Sequence, residues 1–175
     1  MPASLTLRAF RKDDLEFLDL LCSDPAALGS FEWFGFIDVR TRRRRWEQDG
    51  FVSAESTALA VVLDDGTIAG LASWRASNRG GSPGTCFEIG AALLPEHRGK
   101  GLGTAAQRLL VEHLFNFTIA HRLEALTDAE NVAEQKALER IGFTREATLH
   151  EVAFQSGTWR NCAIYALLRE DWHER

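Results

Sequence analysis

Gly99, Gly101 and Gly103 fall within five positions, between an apolar run at Ile89–Leu94 and an amphipathic segment from Thr104 to Phe117. This succession of strand, glycine loop and helix constrains the fold more than any other stretch of the chain. Glycine lets the backbone turn tightly and brings its N–H groups close to a ligand. A helix that starts there points unpaired N–H groups and the positive end of its dipole at the same spot. The result is a seat for a phosphate or pyrophosphate. Arg98 and Lys100 add full positive charge, and a guanidinium suits bidentate phosphate contact.

Three phosphate-binding patterns compete for this loop. A P-loop requires G-x-x-x-x-G-K-[ST]. Here Gly99-Lys100 is followed by Gly101, and position 94 is Leu, so that pattern fails. A dinucleotide fingerprint matches in letters at Gly101-x-Gly103-x-x-Ala106. It comes far too late in the chain, however, and Ala120, His121 and Arg122 stand where an acid is needed about 20 residues on. The third pattern, R-x-x-G-x-G, is met by Arg98, Gly101 and Gly103. This stretch resembles the acetyl-CoA pyrophosphate loop of the GNAT N-acetyltransferase superfamily.

The resemblance extends beyond the loop. Glu88-Ile89-Gly90 through Gly101 is similar to that superfamily's fourth strand and loop. Asn131-Val132-Ala133 through Ile141-Gly142-Phe143 is similar to its second signature. Gly157 to Asn161 and Tyr165 to Leu168 resemble its RimJ/RimL-like branch. Matches run from about Leu5 to Trp172. The resemblance implies a mixed α/β GNAT fold, with a twisted sheet of about seven strands flanked by about four helices, forming one domain over residues 1–175. It also implies acetyl-CoA as co-substrate, an amine acceptor (a protein N-terminus or a small molecule), and direct attack in a ternary complex without an acyl-enzyme.

Composition sets the limits. A chain of 175 residues suits one domain with a real core. A net charge of −5 argues against nucleic-acid binding by bulk electrostatics. No apolar run reaches the length needed to span a bilayer, and Met1–Phe10 carries no secretory pattern. Cys22, Cys86 and Cys162 form neither a disulfide framework nor a metal site, and no metal is expected. Free thiols without an export signal point to the cytoplasm.

Periodicity gives the order of elements. A strand at Ser4–Phe10 precedes helices at Lys12–Cys22 and Val39–Gln48, with a loop at Asp24–Asp38 between them. A hairpin at Thr57–Leu63 and Thr67–Ala76 leads to a mobile connector at Asn78–Gly84. A strand at Thr85–Leu93 enters the glycine loop, and a helix runs to about Phe117. A strand at Arg122–Thr127, a helix at Asn131–Arg140 and a hairpin at Phe143–Phe154 and Thr158–Leu168 complete the chain. This order predicts a mixed sheet in a single α/β domain.

Amine acetylation needs a held cofactor, a neutral amine and a stabilised oxyanion. Arg98, Gly99, Lys100, Gly101, Leu102, Gly103 and Thr104 are expected to hold the diphosphate, chiefly through main-chain amides. The resemblance assigns the main chain of Leu93 and Leu94 to the pantetheine arm and the acetyl carbonyl. Asn131 is given both a catalytic and a pantetheine-binding role; it also reads as a helix N-cap. A lysine-like amine with pKa near 10.4 must lose a proton to attack, so a base is required. Glu88, at the start of the Glu-Ile-Gly strand, is the candidate, and Glu32 is the second. Phe31, Glu32, Trp33 and Phe34, with Trp74, are expected to shape the acceptor pocket. Leu138 and Glu134 depart from the family, standing where a tyrosine or a serine is usual. Arg42–Arg45 spreads round a helix and reads as a solvated surface. Tyr165 reads as core. Two alternatives remain: an acyl-CoA-binding GNAT module without catalysis, and a phosphate-binding enzyme of another class. Exposed aromatics suggest a homodimer.

Overall fold

The computed structural model describes residues 5–77 and 81–173. The expected connector at Asn78–Gly84 therefore lies partly outside the described residues. Seven strands form one sheet in the order β1-β2-β3-β4-β5-β7-β6. They are β1 (Leu5–Arg8), β2 (Ser56–Leu63), β3 (Ile68–Ala76), β4 (Cys86–Leu93), β5 (Arg122–Asp128), β6 (Thr144–Gln155) and β7 (Thr158–Leu168). Six α-helices accompany them: α1 (Leu15–Ser23), α2 (Pro25–Leu28), α3 (Val39–Asp49), α4 (Leu102–Phe117), α5 (Val132–Ile141) and α6 (Arg169–His173). Every strand pair is antiparallel except β4–β5. The expected sheet is present, with two more helices than expected.

Helix α2 lies inside the region read as a loop. The Asp24 carboxylate accepts from the Ala26 amide at 2.9 Å, and Pro25 occupies the first turn. Proline there gives up an N–H that would have had no partner, and Asp24 satisfies another. Pro25, one of the residues that suggested a loop, therefore helps Asp24 start a short helix. Helix α1 starts one turn late because Lys12–Asp14 forms a 3-10 turn. There Asp14 accepts from Arg8 and from the Arg11 amide at 2.6 Å.

The main core lies between the sheet and α4. Ala106, Leu110, Val111, Leu114 and Phe115 recur at helical spacing and pack against Val61, Ala72, Phe87, Ile89 and Leu123. A smaller core of Phe10, Leu18, Phe51, Ala60 and Val62 sits under α1 and α3. Tyr165 belongs to the main core, as its strand setting implied; its hydroxyl reaches Gln135 and Glu139 at 3.3 Å. All three cysteines are buried, and none is joined in a disulfide. No described helix is long and apolar enough to cross a membrane.

One feature of the sheet positions the site. β4 and β5 pair only through Cys86↔Arg122, Phe87↔Leu123 and Glu88↔Glu124. Beyond that, β4 stays on β3 as far as Leu93, and β5 stays on β7 as far as Asp128. The sheet therefore splits into a V. Arg122 joins Glu124 and Glu146 at the closed end and pins it.

Candidate active site

The split leaves main-chain groups of β4 facing open space. The Leu94 amide donates to Ala69 at 2.9 Å. Antiparallel strands alternate their hydrogen-bonding direction with each residue. The main chains of Ala92 and Gly90 therefore also turn to β3, and those of Leu93 and Ala91 turn into the V. This corrects the expectation for Leu94, whose amide is already bonded. Leu93 keeps its N–H toward the opening, and Ala91 joins it. Buried amides need partners, so the V suits an extended ligand that brings amides of its own, as a strand would.

At the wide end of the V, the chain turns through Pro95–His97 into the glycine loop. Gly99 and Gly101 have φ of +71° and +79°. A side chain there would meet no neighbouring atom, so the constraint is backbone strain alone. Gly101 is the N-cap of α4, and no side chain caps this end. The Ala105 amide closes the first turn on the Gly101 carbonyl at 3.0 Å. The amides of Leu102, Gly103 and Thr104 precede it and have no acceptor within the helix. Unpaired N–H groups at a helix start are the kind of donor an anion takes.

Arg98 has a structural role beside the expected one. Its guanidinium donates to the Leu93 carbonyl at 2.8 Å and the Ala27 carbonyl at 2.7 Å. These bonds brace β4 against α2 and use two of its five N–H groups.

Two cavities flank the V. The smaller, about 520 Å3, is lined by the loop and α4 start (Arg98, Gly99, Gly101, Gly103, Thr104), with Leu93, Phe31 and Asn131. Asn131 is the N-cap of α5, and its side chain accepts from the Glu134 amide at 3.3 Å. The larger, about 830 Å3, lies over β2–β4 beneath α1 and α3, and includes Phe34, Arg42, Arg45, Glu88 and Gly90. Both are lined by Leu28, Glu32, Ala91, Ala92 and Glu134. These five residues mark where the cavities meet.

Two carboxyl groups stand at that junction. Glu32 is exposed by surface area, yet the surrounding cleft partly desolvates its carboxyl. Burial, reinforced by the charge of Glu134 and opposed by Arg98, pushes its pKa up to about 7. Burial also raises Glu134, against a hydrogen bond from the Gln107 side chain at 2.9 Å. Sequence reasoning noted Glu134 only as a departure from the family. The available signal was a carboxylate three residues after an asparagine N-cap, pointing back toward the glycine loop.

The other candidates are spread around these cavities. Glu88 lines the larger cavity, where its carboxylate is engaged by Arg75 at 2.7 Å. It stands about 10 Å along β4 from Ala91, three residues away at roughly 3.4 Å each. Of the aromatic loop, Phe31 lines the smaller cavity and Phe34 the larger. Trp33 lines neither; its ring meets Phe36 edge-on, and its carbonyl accepts from Gln155 at 2.9 Å. Trp74 also lines the larger cavity. Its indole stands 5.4 Å from the His113 ring of α4, on the sheet face opposite Ser73 and Arg75. Arg42 and Arg45 line the larger cavity, so this helix is not simply solvated. Leu138 is fully buried and offers no acid. Among the described residues there is no cluster of three or more metal-ligating side chains.

Comparison with known proteins fits this geometry. Residues 4–144 match the acetyltransferase (GNAT) domain family. The spermidine N(1)-acetyltransferase of Escherichia coli K12 is 26% identical over 174 residues, 97% of this chain and 88% of that protein. The uncharacterized N-acetyltransferase YnaD of Bacillus subtilis is 28% identical over 87 residues, about half of each chain (50% and 51%). A crystal structure of spermidine N-acetyltransferase from Vibrio cholerae with CoA and spermine superposes with a TM-score of 0.84 over 97% of this chain and 98% of that one. At 20% identity, that likeness is one of fold. The split sheet, the glycine loop at the start of α4 and the family match agree: this chain belongs to the GNAT family of acetyl-CoA-dependent N-acetyltransferases.

Proposed function

We propose that this protein transfers an acetyl group from acetyl-CoA to the primary amine of a small molecule, by direct attack in a ternary complex. One observation carries the reading: a cavity floored by main-chain amides meets a second cavity at Ala91–Ala92, and two carboxyls stand at the junction. The diphosphate rests on the amides at the α4 start, from Gly101 to Thr104. The pantetheine arm lies along the open edge of β4, its amides pairing with Leu93 and Ala91, and Asn131 flanks it. The amine enters from the larger cavity.

Glu32 receives the amine's proton, directly or through a water. Its raised pKa makes it a base near neutral pH. It takes precedence over Glu88 because Glu88 is engaged by Arg75 and stands away from the junction. An amide directed into the V, that of Ala91, supports the oxyanion as the amine attacks. The thiolate leaves as CoA and takes a proton from water. A RimJ/RimL-like preference for protein N-termini is the finer alternative. The relatives named as spermidine acetyltransferases favour a small amine instead.

The test is thiol release from acetyl-CoA by the purified protein across a panel of amines and N-terminal peptides, beside calorimetry with CoA. Saturable thiol release with small amines is expected, falling as pH drops below about 7. CoA binding without thiol release from any acceptor would instead indicate a binding module. Absence of CoA heat would remove the donor site altogether.

A further inference from the structure

We infer that the acceptor is an amine that also carries an anionic group, a carboxylate or a phosphate, held at the far end of the larger cavity by Arg42 and Arg45. This rests on the acetyl-transfer reading above and specifies its substrate class.

The larger cavity has two electrically different ends. At the junction stand Glu32 and Glu134, both carboxyls. At the other end, α3 contributes Arg42 and Arg45 from successive turns, and β3 contributes Arg75. The strand register shows how far apart the ends are. Ser56, Arg75 and Glu88 lie in one row across β2, β3 and β4. Arg45 bonds the Ser56 hydroxyl at 2.7 Å, which fixes it over that row. The junction row, through Ala91 and Ala72, is three residues further along, about 10 Å at ~3.4 Å per residue. Arg45 also stands about two strand spacings, roughly 9.5 Å, to the side of β4.

The charges at the arginine end are not all matched. Arg75 holds Glu88 at 2.7 Å, and Arg45 shares Asp49 at 3.8 Å. Arg42 has no carboxylate within ion-pair distance among the described residues; it lies beside the Cys22 thiol. It is half-buried on a wall that also includes Leu18, Leu21 and Phe51. Arginine here favours a planar, anionic partner. A polycation would have to bring a second ammonium toward this end, where like charges repel. The two offsets combine to about 14 Å between Arg45 and the junction; about 3–3.5 Å of contact at each end leaves roughly 7 Å, so a short amine with a terminal anion meets complementary charge at both ends.

The experiment compares kcat/KM at pH 7.5 for phosphoethanolamine, 4-aminobutyrate, butylamine and spermidine. Phosphoethanolamine or 4-aminobutyrate is expected to exceed butylamine and spermidine about tenfold, and the two anionic arms separate phosphate from carboxylate. Arg42→Gln is expected to cut the anion-to-butylamine ratio about tenfold, mainly through KM, as loss of one charged hydrogen bond implies. Arg42→Lys should retain part of it. Spermidine equal to or better than the anionic amines, or a ratio unchanged in Arg42→Gln, overturns the inference. Should no amine be acetylated, the transfer reading fails, and calorimetry of phosphoethanolamine with the CoA-loaded protein decides the rest. Binding lost in Arg42→Gln upholds the charge layout, and absence of heat overturns it.

Discussion

The two cavities are built from different materials. The donor side is mostly main chain: glycine amides, the first turn of α4 and the free edge of β4. The acceptor side is mostly side chains, brought from α1, the loop after α2, α3 and four strands. Main-chain sites tolerate side-chain change but not conformational change. Side-chain sites behave the other way. One chain can therefore keep its donor while its acceptor varies, which suits a family whose members share a cofactor.

Substitutions can break or sharpen this contrast. The largest effect is expected on the acceptor side, at the junction. Glu32→Gln should lower kcat about 10²–10⁴-fold at neutral pH. With a native pKa of about 7, Glu32 is protonated and inactive as a base below that value. The wild-type rate should therefore fall roughly tenfold per pH unit on the acid side, and the variant should lose this limb. A variant that kept the limb would move the base elsewhere, with Glu88 next in line. Second is Gly101→Val on the donor side. At φ +79°, a branched residue costs about 1–3 kcal/mol, so CoA affinity by calorimetry should drop about tenfold to a hundredfold. Normal affinity would mean that the loop conformation is not what binds.

Third is Phe34→Ala, which should raise acceptor KM several-fold, about 1 kcal/mol for an aromatic that is 66% exposed, and leave CoA affinity unchanged. A matching loss of CoA affinity would blur the division between the cavities. Smallest is Lys100→Ala. Its charge is exposed, and such charges contribute about 0–1 kcal/mol, so CoA affinity should weaken at most about five-fold, and less at high salt. A hundredfold loss would show that the donor side depends on side chains after all.

The same contrast explains what could be read in the sequence. The conformation of the glycine loop was legible because its constraint is local: Gly99 and Gly101 adopt positive φ, as glycine allows. The strands and α4 were legible from periodicity, within a residue or two of their ends. Helix α2 was not, because Pro25 and Gly29 were weighed as breakers before Asp24-Pro25 was weighed as a start signal. On the acceptor side, Phe34 and Glu32 could be anticipated as a loop. The direction of Trp74 could not, because strand alternation places its ring only once the sheet's two faces are known. Arg42 and Arg45 looked like surface, since nothing local reveals that a helix covers a cavity. Leu94 and Leu93 looked equivalent, and only the bond to Ala69 separates them.

The Arg98 brace also acts as a ruler. One planar group touches β4 at Leu93 and the acceptor-side helix at Ala27, and a methyl on Gly29 would come within 2.8 Å of it. On the transfer reading proposed above, the spacing of β4 and α2, and with it that of thioester and amine, is held by the width of a guanidinium. Changing that residue alters how far apart the reactants stand, a quantity to which turnover responds more steeply than binding does.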